Sequence, residues 1–172
     1  MRTLPLKTIG TGRAALASLA LLTVLALPGA QAADLNCSGT VVGRTIDGAV
    51  RVSPGARCVL KDVSVNGSVF LGQNSNTVIV NSTVGGNITG ENFQSLRLKS
   101  GVTKRQVTLT GGQGVTIAEM RIDGGITLKN TRGGASVSAV SLKGDLICEG
   151  NRRINGGGNQ IDGKRTGGCS RL

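Results

Sequence analysis

The residues of this chain that could do chemistry are its four cysteines and its charged side chains. The sequence has 172 residues, with Lys+Arg 20, Asp+Glu 9 and no histidine, tryptophan or tyrosine. Without histidine there is no Ser-His-Asp or Cys-His nucleophile, no imidazole general base and no His-containing metal site. What remains is thiol chemistry, carboxylate chemistry and the binding of anions by a basic surface.

The first 32 residues have the three zones of a secretory signal. Arg2, Lys7 and Arg13 precede an apolar run at 14–27, and Ala30-Gln31-Ala32 offers a small-x-small cleavage site. The run is too short to cross a bilayer. We expect cleavage after Ala32, a single domain over 33–172 without a transmembrane segment, and a secreted or periplasmic location. Loss of three basic residues leaves 17 basic and nine acidic residues, a net charge of +8.

Apolar residues recur with a period of 19, and nothing recurs at the spacing of 3.6 that a helix requires. The series continues after a step of 20, and reads Val50, Val69, Ile88, Val107, Ile126 and Leu146. Two more alternating pairs follow in each period: Leu96/Leu98 and Val115/Ile117, with Val78/Val80 one residue out of phase, and then Val63/Val65, Met120/Ile122 and Val140/Leu142. Three short strands per 19 residues predict an all-β parallel β-helix of six or seven stacked coils.

The spacing of the cysteines matches this repeat. Their even number in an exported chain predicts disulfides, and they lack the close C-x-x-C pairs of a zinc site. The separations Cys37 to Cys58 and Cys148 to Cys169 are both 21, close to one coil. Because neighbouring strands are within disulfide reach, we predict these two bridges as clamps on the two ends. In the chain-entropy model, each disulfide stabilises the folded protein by about 3 kcal/mol.

Three segments carry a resemblance to known proteins. Gly-Asn-Ile-Thr at 86–89, Gly-Gly-Ile-Thr-Leu at 124–128 and Gly-Asp-Leu-Ile-Cys-Glu-Gly-Asn at 144–151 resemble small secreted bacterial right-handed parallel β-helix proteins of uncharacterised function. The similarity spans about Cys37 to Cys169. The coil pattern is also similar to bactofilins, which polymerise end to end, although the export signal and the cysteine clamps differ. The resemblance implies a single-stranded, right-handed β-helix and supplies no catalytic residues.

The carboxylates are spaced too widely for paired-carboxylate hydrolysis. Asp47 and Asp123 are four periods apart, or about 19 Å, and Asp62 and Glu119 are three periods apart, or about 14 Å. Glycoside hydrolysis needs roughly 5 to 9.5 Å between the two groups. No acidic cluster suits calcium either. We therefore expect no enzyme activity, cofactor or metal, and keep a small polysaccharide-active enzyme of the β-helix type as the alternative.

Basic residues concentrate on two of the three expected sides. Stacking would gather them into a basic flank that attracts acidic polysaccharide, lipopolysaccharide or extracellular DNA. Without tryptophan and tyrosine, specific stacking on sugars or bases is not expected. The positive charge could equally serve solubility alone. The candidate polyanion-binding residues are Arg57, Lys61, Arg97, Lys99, Lys104, Arg105, Arg121 and Lys143.

Two minor alternatives concern the remaining side. Thr89, Thr108 and Thr127 repeat at 19 and predict an outward threonine ladder, an arrangement that resembles ice-binding surfaces, although Phe70 interrupts it. Exposed strand threonines are common in any case. Self-assembly into a filament is the other minor alternative, and the oligomeric state stays open.

Overall fold

The computed structural model describes residues 32–172, so the predicted signal peptide lies outside the described residues except for its last residue, Ala32. These residues form strands and turns and contain no helix. This part of the chain therefore has no helix that is long and apolar enough to cross a membrane. In chain order the strands are β1 (Leu35–Cys37), β2 (Thr40–Val42), β3 (Thr45–Ile46), β4 (Val50–Val52), β5 (Arg57–Lys61), β6 (Ser64–Val65), β7 (Val69–Leu71), β8 (Asn76–Val80), β9 (Thr83–Val84), β10 (Ile88–Glu91), β11 (Ser95–Thr103), β12 (Val107–Thr110), β13 (Gly114–Ile122), β14 (Ile126–Lys129), β15 (Gly134–Ser138), β16 (Ser141–Leu142), β17 (Leu146–Glu149), β18 (Ile154–Gly157), β19 (Gln160–Ile161) and β20 (Arg165–Gly167).

The strands stack in parallel on three sides. Side 1 is the eight-stranded sheet β1-β4-β7-β10-β12-β14-β17-β20. Side 2 holds β2, β5, β8, β15, β18 and the first parts of β11 and β13, and side 3 holds β3, β6, β9, β16, β19 and the second parts of β11 and β13. The predicted parallel β-solenoid is confirmed, with about seven coils of about 19 residues. The right-handed winding stays a prediction.

The 19-residue period is the register of the stack. On side 1, Ile88 pairs with Val69 of the preceding strand and with Val107 of the following one, and all three are fully buried. Coils are numbered 1 to 7 by their side 1 strand, from β1 to β17. The single step of 20 comes from an extra residue between β14 and β15, where Gly114 pairs with Gly134. The first step on side 1 is shorter, because Leu35 pairs with Val50. Since the inward positions of each coil still stack on those of the next, the apolar residues form continuous columns inside the solenoid.

One predicted pair was wrong. Val78 and Val80 were expected to point inward after a one-residue shift of phase, but β8 keeps the common register. Thr77 and Ile79 are the buried residues of this strand, and the two valines face outward and are partly exposed. Stacking on Leu96 and Leu98 of the next coil decides the phase, because a one-residue slip would turn the whole strand inside out.

The corner between sides 2 and 3, corner 2, contains a column of left-handed residues. Asp62, Asn81, Ser100, Glu119 and Ala139 have φ between 49° and 55° at this corner. Gly43 begins the column and Gly158 ends it. Glycine, asparagine and aspartate adopt this conformation at the least cost, so Ser100, Glu119 and Ala139 carry strain that the stacked backbone hydrogen bonds must offset. The tight corner therefore comes from the stack more than from local residue preference.

The two predicted disulfides, Cys37–Cys58 and Cys148–Cys169, are present, with Cα separations of 5.6 and 5.4 Å. Their placement differs from the expected stacking of one cysteine on the next. Cys37 pairs in register with Val52 on side 1, whereas Cys58 lies on side 2 of the next coil. Each bridge thus joins side 1 of one coil to a later point on the next coil, inside the solenoid, because all four cysteines are buried.

Candidate anion-binding face

The eight predicted polyanion-binding residues do not form one flank. Arg57 and Lys61 of β5 and Arg97 and Lys99 of β11 point outward on side 2. The other four lie on side 3 and at corner 3, which joins side 3 to side 1: Lys104, Arg105, Arg121 and Lys143. The two groups face different directions around the coil. The structure therefore divides the eight candidates into two separate groups of four.

The side 3 group is partly neutralised. Asp123 lies 3.2 Å from Arg121 and 3.1 Å from Lys143, measured from its Oδ1 to the nitrogens. Hydrogen bonds from Lys143 and then Arg121 lower the pKa of Asp123, so it is fully charged at neutral pH. On side 2, Lys99 has a looser contact of 3.7 Å with Glu119. A carboxylate already held by two cations reduces the attraction of side 3 for a further anion.

Side 2 carries a shallow groove of about 720 Å³. Its floor follows two outward columns of the sheet. One column runs from Arg57 through Asn76, Ser95 and Gly114 to Gly134, and Arg153 lies beyond its end. The other runs from Arg97 through Thr116 and Ser136 to Asn155. Small and uncharged residues therefore form the floor, and arginines stand along it.

Three arginines line the groove: Arg57, Arg97 and Arg153. Arg97 lies two coils beyond Arg57, or about 10 Å along the axis, and Arg153 three coils further, or about 14 Å. Within residues 32–172 none of the three is in an ion pair with a carboxylate. Their side chains are available to an anion that lies along the axis.

Arg153 was missed by the sequence reasoning, as were the polar floor residues. The signal was present in the repeat. Arg153 follows Arg57 by five periods plus the one-residue insertion, so a column drawn through Gly114 and Gly134 ends beside it. Counting basic residues by side, without drawing the columns, selected Arg121 and Lys143 instead.

The acidic residues show no comparable assembly. Asp62 and Glu119 occupy corner 2 three coils apart, as their spacing predicts. Within residues 32–172, no group of three cysteine, aspartate or glutamate side chains could hold a metal ion. The expectation of no enzyme activity stays a prediction.

The predicted threonine ladder is present on side 1. Thr89, Thr108 and Thr127 pair directly in register and are half-buried. Phe70 precedes them in the same column, with 37% of its surface exposed, and the Arg51 guanidinium stacks 4.7 Å from its ring centroid. The ladder is thus three residues long and ends against an aromatic–cation pair.

The fold and the groove define a disulfide-closed parallel β-solenoid with an arginine-lined side. The chain matches no family model, no curated protein and no solved structure in the comparisons. The relationship to small secreted β-helix proteins therefore stays a prediction, while the solenoid with its disulfides is shown. Two disulfides are compatible with an oxidising compartment.

Proposed function

We propose that this chain is a non-enzymatic secreted or periplasmic binding protein that contacts an anionic polymer through side 2. Acidic polysaccharide, lipopolysaccharide and extracellular DNA share the chemistry that the groove would recognise. The observation that carries the proposal is the set Arg57, Arg97 and Arg153, which line one groove without a carboxylate partner in the described part of the chain.

The groove favours contact with a polymer backbone over recognition of its units. A low floor of Gly114, Thr116 and Ser136 lets a chain approach the sheet, and the hydroxyls can hydrogen-bond to it. The arginines release counterions from the polymer when it binds. No aromatic side chain lines the groove, so stacking on bases or sugars contributes nothing there. Binding should therefore depend strongly on salt and weakly on sequence.

Retention on heparin and DNA columns across a salt gradient tests the proposal. We would compare the parent with the variant Arg57→Ser/Arg97→Ser/Arg153→Ser. The matched control, Lys104→Ser/Arg105→Ser/Lys164→Ser, removes the same charge at corner 3. We expect the groove variant to elute at much lower salt than the control. On duplex DNA its log–log salt slope should fall by up to about 3, since each lost phosphate contact removes about 0.9.

Equal elution of the two triple variants would show that net charge alone causes retention, and the groove would lose its assigned role. The same preparations can be incubated with acidic polysaccharide while chain length is followed. Shortening of the polymer by the parent would replace the binding proposal with the alternative of a small polysaccharide-active enzyme.

A further inference from the structure

Side 2 has a second feature that the polymer contact leaves unexplained. Within residues 32–172 its outward valines lie in the first three coils only, as Val42, Val59, Val78 and Val80. Val42 is 55% exposed and the others are partly exposed. In coils 5 and 6 the corresponding outward positions hold glycine, alanine, serine and threonine. Along the solenoid axis, side 2 is thus divided into a part with outward valines and a part with small outward side chains.

Cations surround these valines in the register of the sheet. Lys61, Val80 and Lys99 succeed one another in one column. Val59, Val78 and Arg97 do so in the adjacent column, and Arg57 lies two residues before Val59 in the same strand. Two coils separate Lys61 from Lys99, or about 10 Å. The result is an apolar centre with four cations at its margin, named here the valine patch.

We infer that the valine patch docks onto the surface of an anionic bilayer. A soluble polyanion gains nothing from exposed valines, whereas the headgroup region of a membrane offers phosphates to the cations and acyl chains to the apolar side chains. The lysine and arginine stems add apolar surface while their charged ends reach the headgroups. The inference goes beyond the proposed polymer contact, because it needs Val42, Val59 and Val80, which do not line the groove.

Co-sedimentation with vesicles tests the inference. We would use phosphatidylcholine vesicles with and without phosphatidylglycerol, and the charge-neutral variant Val42→Ser/Val59→Ser/Val80→Ser, whose three positions lie outside the groove lining. We expect the parent to bind the anionic vesicles and not the neutral ones. From the apolar area removed, the valine variant should bind about tenfold more weakly. The control Thr89→Ser/Thr108→Ser/Thr127→Ser on side 1 should bind like the parent.

The heparin column separates this inference from the proposed function. The valine variant should keep the parent's retention on heparin, because its charge is unchanged. A parent that is retained on heparin and ignores anionic vesicles would overturn the membrane inference and leave the polymer contact standing. So would a valine variant that binds vesicles as tightly as the parent. If the serine substitutions lower the β-sheet circular dichroism, Val→Thr substitutions at the same three positions keep the strand propensity and decide the matter.

Discussion

Phe93 and Gly112 form a size-matched pair between neighbouring coils, and enlarging the glycine should disrupt it. Phe93 lies at the corner between sides 1 and 2, where its backbone turns, but its ring is 1% exposed and belongs to the core. A Cβ at position 112 would lie 2.5 Å from Cε2 and 2.8 Å from Cε1 of this ring. Carbon atoms in contact prefer about 3.5–4.0 Å, so Gly112→Ala creates an overlap of about 1 Å.

The ring has little room to move away. A Cβ at Gly90 would already lie 3.0 Å from Cδ1 on another edge of the ring. We therefore expect Gly112→Ala to destabilise the protein at the upper end of the usual overpacking cost, about 3 kcal/mol. Gly114→Ala is the matched control two residues later. Nothing lies within 4 Å of a Cβ there and no positive φ is recorded, so its effect should be near zero or slightly stabilising.

A double-mutant cycle tests the cause. Phe93→Ala alone should cost about 3–5 kcal/mol, and adding Gly112→Ala to it should cost little more, because the overlap has lost its partner. Urea unfolding followed by circular dichroism measures the three free energies, since the chain has no tryptophan or tyrosine for fluorescence. Additive effects, or a Gly112→Ala variant as stable as Gly114→Ala, would refute the reasoning.

Three further substitutions test corner strain, core polarity and acid sensitivity. Ala139→Gly relieves a φ of 52° and should stabilise by about 1 kcal/mol, while Ala118→Gly in the adjoining strand should destabilise. Thr103→Val replaces a fully buried hydroxyl that has no hydrogen-bond partner within residues 32–172 and should stabilise by about 1 kcal/mol. Hydrogen bonds from the Ala49 N–H and the Arg51 side chain lower the pKa of Asp34 below 3.8, so its contribution to stability is present above 3.8 and lost as pH falls through the folded pKa. The thermal midpoint of Asp34→Asn should therefore fall less steeply than that of the parent in this acid range.

Each of these expectations has a definite contrary result. Destabilisation by Ala139→Gly would mean that the corner is not strained at that residue. A neutral or destabilising Thr103→Val would mean that the Thr103 hydroxyl has a hydrogen-bond partner in solution. Thr108→Val is the control, because it makes the same substitution at an outward residue. If the thermal midpoints of the parent and of Asp34→Asn change with pH in parallel, the contact between Asp34 and Arg51 does not contribute to acid unfolding.

The period of the apolar residues was enough to predict the architecture, because stacking demands that equivalent inward positions recur. It was also enough to pair the cysteines by coil. It did not locate them on the coil: Cys37 lies on side 1 and Cys58 on side 2, with 5.6 Å between their Cα atoms. Spacing along the chain measures how many coils separate two residues, and the corner geometry decides on which side each one falls.

The errors in the core share one cause. In Asn76-Thr77-Val78-Ile79-Val80 three of five residues are apolar, so local alternation favours either phase, and Leu96 and Leu98 of the neighbouring coil select Thr77 and Ile79. Phe93 lies in a turn, and the space for its buried ring comes from glycines in the same and the next coil. Both features depend on contacts between coils that no single segment of sequence contains.

The groove likewise depends on contacts between coils. Arg153 becomes part of it only when the one-residue insertion is carried through the column that also holds Gly114. That glycine is informative because the fold does not require it. It has no positive φ and nothing within 4 Å of a Cβ, and a strand glycine costs about 0.5–1 kcal/mol relative to alanine. At Gly67 and Gly144, by contrast, glycine avoids a clash with the backbone of the preceding coil. At position 114 its effect is on the surface alone, where it lowers the floor between the arginines that we propose hold an anion.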